Sequence, residues 1–273
     1  MRTSPEASAC SDANRPTVSV LANCLGRYDE FAPLPGLDAH FQCVWTNAIP
    51  RDHFGPVAVV PDGCVDLLWK DGRLVVVGPD IVAASPELGG GTTVLGIRFR
   101  PGAALRWLRT PMSTLVGQAV ELADVWDRDV ARELSLRIGE APTIERQAAV
   151  LQQQLLNQLP ELERPAQDAG AIFAAMASGS DAIAGRISSL VDRLDISERT
   201  LRRRSHDYFG YGPKTLDRIL RFQNFLSLVR AQGKQRMAGL AYEAGYADQA
   251  HLGREIQTLC GMTAGSFVRQ ISG

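Results

Sequence analysis

Long hydrophobic runs are missing from this sequence of 273 residues. Apolar stretches such as residues 74–77 fall far short of the roughly 18 residues that read as a membrane-spanning helix, so no membrane association is expected. Cysteine is sparse: Cys10, Cys24, Cys43, Cys64 and Cys260 are odd in number and contain no CxxC pair. That pattern offers neither a disulfide framework nor a zinc ribbon, and the thiols are read as reduced. Residues 1–13 lack the basic patch and following apolar stretch of a secretory signal. The expected location is cytoplasmic, and neither a cofactor nor a metal is expected.

A large excess of either charge is lacking too, the formal net charge being −1. The balance hides an asymmetry. From residue 180 onward there are 14 basic and 9 acidic side chains, against 15 and 21 before it. The C-terminal end is therefore built to meet polyanions.

What is present is enough apolar residue, 45% of the chain, to bury a substantial core, and a length that favours two domains. Residues 1–20 are rich in Ser, Ala, Asn and Pro and are read as a flexible tail. Short β-prone runs follow at 41–46, 57–60, 65–69, 74–77 and 94–99, separated by Pro-Asp-Gly, Lys-Asp-Gly and Gly-Gly-Gly. Asp71-Gly72 is placed at the tip of a hairpin. Helical spacing begins after Pro101 and ends in an amphipathic segment at 145–159 that Pro160 stops. The reading is an α+β chain: a mixed sheet and helix domain on 21–160 with a sensing or dimerising role, a linker on 161–171, and an all-α domain on 172–273.

An internal repeat carries the functional reading. Placing Ser197 over Asp248 superimposes Ser-Glu-Arg-Thr-Leu-Arg-Arg on Asp-Gln-Ala-His-Leu-Gly-Arg, and brings Leu201 onto Leu252, Gly210 onto Gly261 and Leu216 onto Phe267. Ser197 and Asp248 are good N-caps, and both glycines suit a left-handed helix stop. Another helix precedes each capped one across a tight turn, giving a helix-turn-helix twice over. In such a unit the second helix enters the major groove and its N-terminal residues reach base edges. Arg199, Arg202 and Arg203 on the first copy, and Gln249, His251 and Arg254 on the second, occupy the exposed positions. An arginine fork matches guanine and a glutamine amide matches adenine. Taken alone, the arginines could be an ordinary solvated helix face, and His251 a phosphate contact or a surface histidine. The segment 214–232 reads as one long helix that fixes the two units relative to each other.

The strings Ile-Ser-Glu-Arg-Thr-Leu-Arg-Arg-Arg at 196–204, Gly-Tyr-Gly-Pro-Lys at 210–214 and Ala-Gly-Tyr-Ala-Asp-Gln-Ala-His-Leu-Gly-Arg-Glu at 244–255 resemble the C-terminal DNA-binding domain of the AraC/XylS family of transcription regulators. The resemblance implies a seven-helix bundle with base contacts at Arg199, Arg202, Arg203, Gln249, Ala250 and Arg254. It also implies double-stranded DNA and RNA polymerase as partners. This sequence departs from the family at Ser205 and Ile256, where aromatics are usual, and at Ala264, where proline is common. Ser205 is expected to thin the core near its helix.

The N-terminal half is less informative. Val-Pro-Asp-Gly-Cys-Val-Asp-Leu-Leu-Trp at 60–69 and Gly-Ile-Arg-Phe-Arg-Pro-Gly-Ala-Ala at 96–104 resemble an uncharacterised domain that often precedes this module. In the wider family the N-terminal domain often binds an effector or dimerises, so a small-molecule effector and a homodimer are expected. Trp45, Trp69, Arg98 and Arg100 are the candidate pocket residues, since ligand sites combine aromatic walls with a few polar groups. At alternating strand positions, however, Trp69 and Phe99 are more often simply core. Cys64 could sense oxidants, although a buried lone cysteine is usually inert. An enzyme is not expected: the cysteines lack the close pair a zinc-held methyl acceptor needs, and Cys64 with His53 belongs to no hydrolase signature. A DNA-bound scaffold that works without a ligand is the alternative reading.

Overall fold

The computed structural model describes residues 20–22, 25–159, 164–179, 182–232 and 237–271. The tail expected at 1–20, apart from Val20, lies outside the described residues, as do Cys24 and positions 161–163 of the expected linker. Among the described residues no helix is long and apolar enough to cross a membrane.

The N-terminal part is built on a six-stranded antiparallel sheet. Its strands are β2 (Arg27–Phe31), β3 (Phe41–Ala48), β5 (Asp66–Lys70), β6 (Arg73–Val77), β7 (Thr93–Phe99) and β8 (Ala119–Glu121), in the order β2-β3-β7-β5-β6-β8. The expected hairpin is present, with Lys70 opposite Arg73 and both Asp71 and Gly72 at positive φ, as a two-residue turn demands. The run expected at 57–60 gives only β4 (Val57–Ala58), which stands outside this sheet in a parallel pair with β1 (Val20–Leu21). One face of the sheet, carrying Leu67, Trp69, Leu95, Ile97 and Phe99, packs in a core with α1 (Ala104–Leu108), α3 (Arg128–Glu140) and α4 (Ile144–Gln158). Between α1 and α3 lie a 3-10 turn (Met112–Thr114) and α2 (Leu122–Val125).

The C-terminal part is all helical: α5 (Gln167–Ala177), α6 (Ile183–Leu194), α7 (Glu198–Phe209), α8 (Pro213–Gln232), α9 (Met237–Glu243), α10 (Gln249–Cys260) and α11 (Ala264–Gln270). Helix α5 starts inside the stretch read as linker. Pro165 stands just before it, alanine is frequent through it, and Ala169, Ile172 and Met176 are buried in the helical core. These residues stay helical because they have a core to enter.

The two parts meet closely. Leu21 and Ala58 are buried in the helical core, and the Leu21 amide donates to Gln270 Oε1 at 2.7 Å. Ala83 N–H donates to Leu259 O at 2.7 Å, and Gln223 Nε2 donates to Pro61 O at 2.7 Å. The Gly63 turn lies against Phe173, Leu216 and Leu220.

Candidate nucleic-acid interface

The two reading helices start and stop as their end residues dictate. Ser197 Oγ accepts from the Thr200 amide at 3.1 Å, and Asp248 Oδ1 from the His251 amide at 2.6 Å, so each cap satisfies a free N–H of the first turn. Each helix ends on a glycine in left-handed conformation, Gly210 at φ 85° and Gly261 at φ 68°. Leu201 and Leu252, equivalent in the repeat, are both buried, as are Leu216 and Phe267.

Helix α8 locks the units together through its charged residues. Asp217, 4% exposed, pairs with Arg186 of α6 and with Arg221 at 3.2 Å, which joins the first unit to α8. Arg218 Nε pairs with Glu255 Oε2 of α10 at 2.9 Å, and Arg221 stands 5.5 Å over the Tyr246 ring. Buried or half-buried pairs of this kind are costly to break, because the surviving charge loses its partner. The spacing of α7 and α10 is thereby fixed from within.

On this frame Arg199, Arg202 and Arg203 are exposed on α7, and Gln249, Ala250 and Arg254 are exposed on α10. His251 differs from them. It is half-buried, its ring meets Tyr246 edge-on at 5.2 Å between centroids, and its Nδ1 faces the Ala247 amide at 3.5 Å. Its geometry serves the turn before α10 more than a groove. Arg204 is spent inside the fold, pairing with Asp168 of α5 at 2.7 Å beside the Tyr208 hydroxyl, which donates to the same carboxylate at 3.0 Å. Ser205 does not thin the core: it is fully buried, and its Oγ donates to Tyr211 O at 2.7 Å, closing the loop after α7. Ile256 is buried, and Ala264 opens α11 after a Thr263 cap.

The four candidate pocket residues do not form one site. Trp69, 6% exposed, lies in the sheet-and-helix core, while Arg100 is exposed and its Nε donates to Asp38 O. Strand alternation sets Trp69 apart from Trp45 and Arg98, which share the opposite face of the sheet, and Arg100 stands beyond the end of β7. There Trp45 packs on Gly96, where a β-carbon would come within 2.2 Å of its ring, and its Nε1 donates to Asp66 at 3.0 Å. Arg98 forks onto both oxygens of Asp66 at 3.1 Å and pairs with Asp62 at 2.9 Å. Burial opposes the guanidinium charge, but Asp66 and Asp62 outweigh it and hold Arg98 positive. Sequence reasoning missed Asp66 as the hub, since its partners lie on other strands.

Cys64 is pushed well above the ordinary thiol range by burial and then by Asp62, which leaves little thiolate at neutral pH. His53 hydrogen-bonds Gly55 O through Nε2 at 3.1 Å. Among the described residues no group of three His, Cys, Asp or Glu side chains is placed to hold a metal ion.

Comparison with known proteins gives two family matches. A family described as a helix-turn-helix domain matches residues 190–270, and a domain of unknown function, DUF6597, matches residues 29–121. The search of curated proteins returned no match. Among solved structures, one of ToxT from Vibrio cholerae is 11% identical, with 85% of this chain and 100% of that chain covered and a TM-score of 0.48. A second, bound to an unsaturated fatty acid, is 12% identical over 90% of this chain and 92% of that one, with a TM-score of 0.39. The C-terminal region of this chain carries a helix-turn-helix domain, in keeping with its resemblance to AraC-type DNA-binding domains, and it follows an N-terminal domain of unknown function.

Proposed function

We propose that the protein is a sequence-specific, effector-responsive transcription regulator that works in the cytoplasm by binding, not by catalysis. One observation carries the DNA reading: two helix-turn-helix units, each tied to one long helix by an ion pair, the first from α6 and the second from α10, each present an arginine on the exposed face of a capped helix. Arg199, Arg202 and Arg203 address one stretch of major groove and Gln249, Ala250 and Arg254 the next, with RNA polymerase as the partner met from the bound site. A homodimer would bring a second pair of reading heads.

The effector part of the reading is supported by where the N-terminal part touches the helical one. It abuts the far ends of both reading helices, at Gly210 after α7 and at Leu259 in α10. A ligand that favours one packing of the sheet over another biases the placement of those helices, and its leverage equals its difference in affinity for the two packings. The absence of catalysis is supported by the raised Cys64 thiol and by a His53 ring engaged locally.

Selection of duplexes from a random pool, with excess non-specific competitor, tests the DNA reading. The expected product is a motif with two conserved blocks about one helical turn, roughly 10 base pairs, apart, as two successive major-groove contacts require. Recovery of unenriched sequence would contradict it.

A further inference from the structure

The residues that α8 buries are apolar with one exception, Asp217, 4% exposed. An apolar side chain would fill that position without desolvating a charge. A buried carboxylate with its cations is weak support for stability, and the best-attested use of such a group is to fix one arrangement of the elements around it.

Asp217 divides its two oxygens between two arginines. Oδ1 pairs with Arg186 of α6, and Oδ2 pairs at 3.2 Å with Arg221, one turn further along α8. Each arginine then reaches on. Arg186 Nη1 donates to Ala175 O at 3.1 Å and to Met176 O at 2.9 Å, carbonyls left open at the end of α5. Arg221 lies over the Tyr246 ring at 5.5 Å, and its Nη1 donates to Gly245 O at 3.5 Å. Gly245 and Tyr246 belong to the turn between α9 and α10, and the Tyr246 ring meets His251 of α10 edge-on. One carboxylate therefore stands between α5 and α6 on one side and the turn of the second unit on the other. The pair of Arg218 with Glu255 ties α8 to α10 without involving the first unit.

We propose that Asp217 is a positioning residue that sets the separation of the two reading heads, and with it the spacing between the two DNA blocks that the protein accepts. The proposal rests on the DNA reading above and adds to it a buried residue that selects among operators without meeting a base. Its charge is what matters. With the carboxylate neutralised, Arg186 and Arg221 share one site without a counter-charge. Arg221, whose side chain is 27% exposed, then turns to water and releases the turn before α10. The apolar core still folds each unit, while the second is held less tightly against the first.

Two variants are compared with the native full chain, their folding verified by circular dichroism melts. Asp217→Asn removes the charge and keeps the shape. Arg186→Met combined with Asp217→Leu and Arg221→Met replaces the network by apolar side chains, a kind of change that is often neutral or stabilising. The first readout needs no DNA. Nitroxides are attached through keto amino acids in place of Glu198 on α7 and Gln257 on α10, both exposed, and pulsed electron resonance measures the distance between them. A narrow distribution is expected for the native chain, and a broadened or displaced one for both variants. The second readout is affinity for duplexes that carry the two selected blocks at separations stepped by one base pair. A change of two base pairs turns one block about 70° round the duplex and is expected to cost the native chain about tenfold in affinity, and each variant about threefold or less. Preference within each block stays as in the native chain. A folded variant that keeps the native distance distribution, or the native dependence on spacing, overturns the proposal. Failure of the DNA reading has a different signature: the native chain itself would enrich no two-block motif, and the distance measurement would still decide whether Asp217 positions the helices.

Discussion

At the scale of single residues, adjacent arginines on α7 have opposite fates. Arg203 is exposed and free to meet a base edge, while Arg204 turns inward to Asp168. Arg203→Ala is expected to weaken specific binding by about 1–3 kcal/mol and to relax preference at one base pair, with stability unchanged. Arg204→Ala should do the reverse, costing on the order of 1 kcal/mol of stability for a half-exposed pair and leaving base preference intact. Paired melts and binding curves would separate the two, and a swap of phenotypes would contradict the placement. Asp80 gives a second residue-level expectation. Burial and then Asp62 push its carboxyl up to about 6 from an ordinary 3.8. Between those values the unfolded chain releases a proton that the folded chain keeps, so this group's contribution to stability, complete below about 3.8, is lost as pH rises through about 6. Asp80→Asn should match the native protein near pH 4 and exceed it above pH 6. Screening at this half-buried position limits the gain to on the order of 1 kcal/mol. Denaturant melts from pH 4 to 8 check the sign, and a difference constant across that range would refute it.

At the scale of elements, the two glycine stops look alike in the sequence and differ in their surroundings. Gly261, at φ 68°, has nothing within 4 Å of the position a β-carbon would take. Gly261→Ala should cost only the left-handed strain, about 1 kcal/mol. Gly210, at φ 85°, faces Val116 at 2.6 Å, Pro79 at 2.9 Å and Met112 O at 3.1 Å. Gly210→Ala should therefore cost clearly more and expose the junction to limited proteolysis. Equal losses for the two would show that the sheet does not press on the end of α7. This contrast marks what local sequence can carry. Caps, stops and apolar faces are written within a few residues of one another, so both reading helices and the β5–β6 hairpin were legible. Strand β2 was not, because an edge strand reading Arg-Tyr-Asp-Glu-Phe buries no face and leaves no alternation to see. The strands β1 and β4 are two residues each, too short for any period. Ser205 was read as a missing aromatic, and its bond to Tyr211 O depends on a loop geometry that composition does not record.

At the scale of the whole molecule, the exposed positions of α7 and α10 were legible because they sit on a repeat that physically explains itself. The other candidate site was legible only in part. Trp45 and Arg98 meet through Asp66, a residue 21 positions from the first and 32 from the second. Trp69 and Arg100 fall elsewhere, and nothing in strand periodicity tells a wall of a pocket from a wall of the core. Nor does the sequence disclose that one set of contacts, from Leu21, Pro61, Gly63 and Ala83, spans both helix-turn-helix units. Those contacts make the N-terminal part a brace across the reading frame, which is what couples sensing to DNA in this account.

The central claim is sequence-specific binding through both reading helices. A mobility shift with DNA from upstream of the protein's own gene, at two salt concentrations and with excess non-specific competitor, tests it most directly when the native chain is run beside Arg203→Ala and Arg254→Ala. The account predicts a competitor-resistant complex for the native chain, weakened by each substitution at both salt concentrations. A complex that competitor and salt abolish, or one that neither substitution changes, would contradict it, because attraction to phosphate alone would then explain the binding.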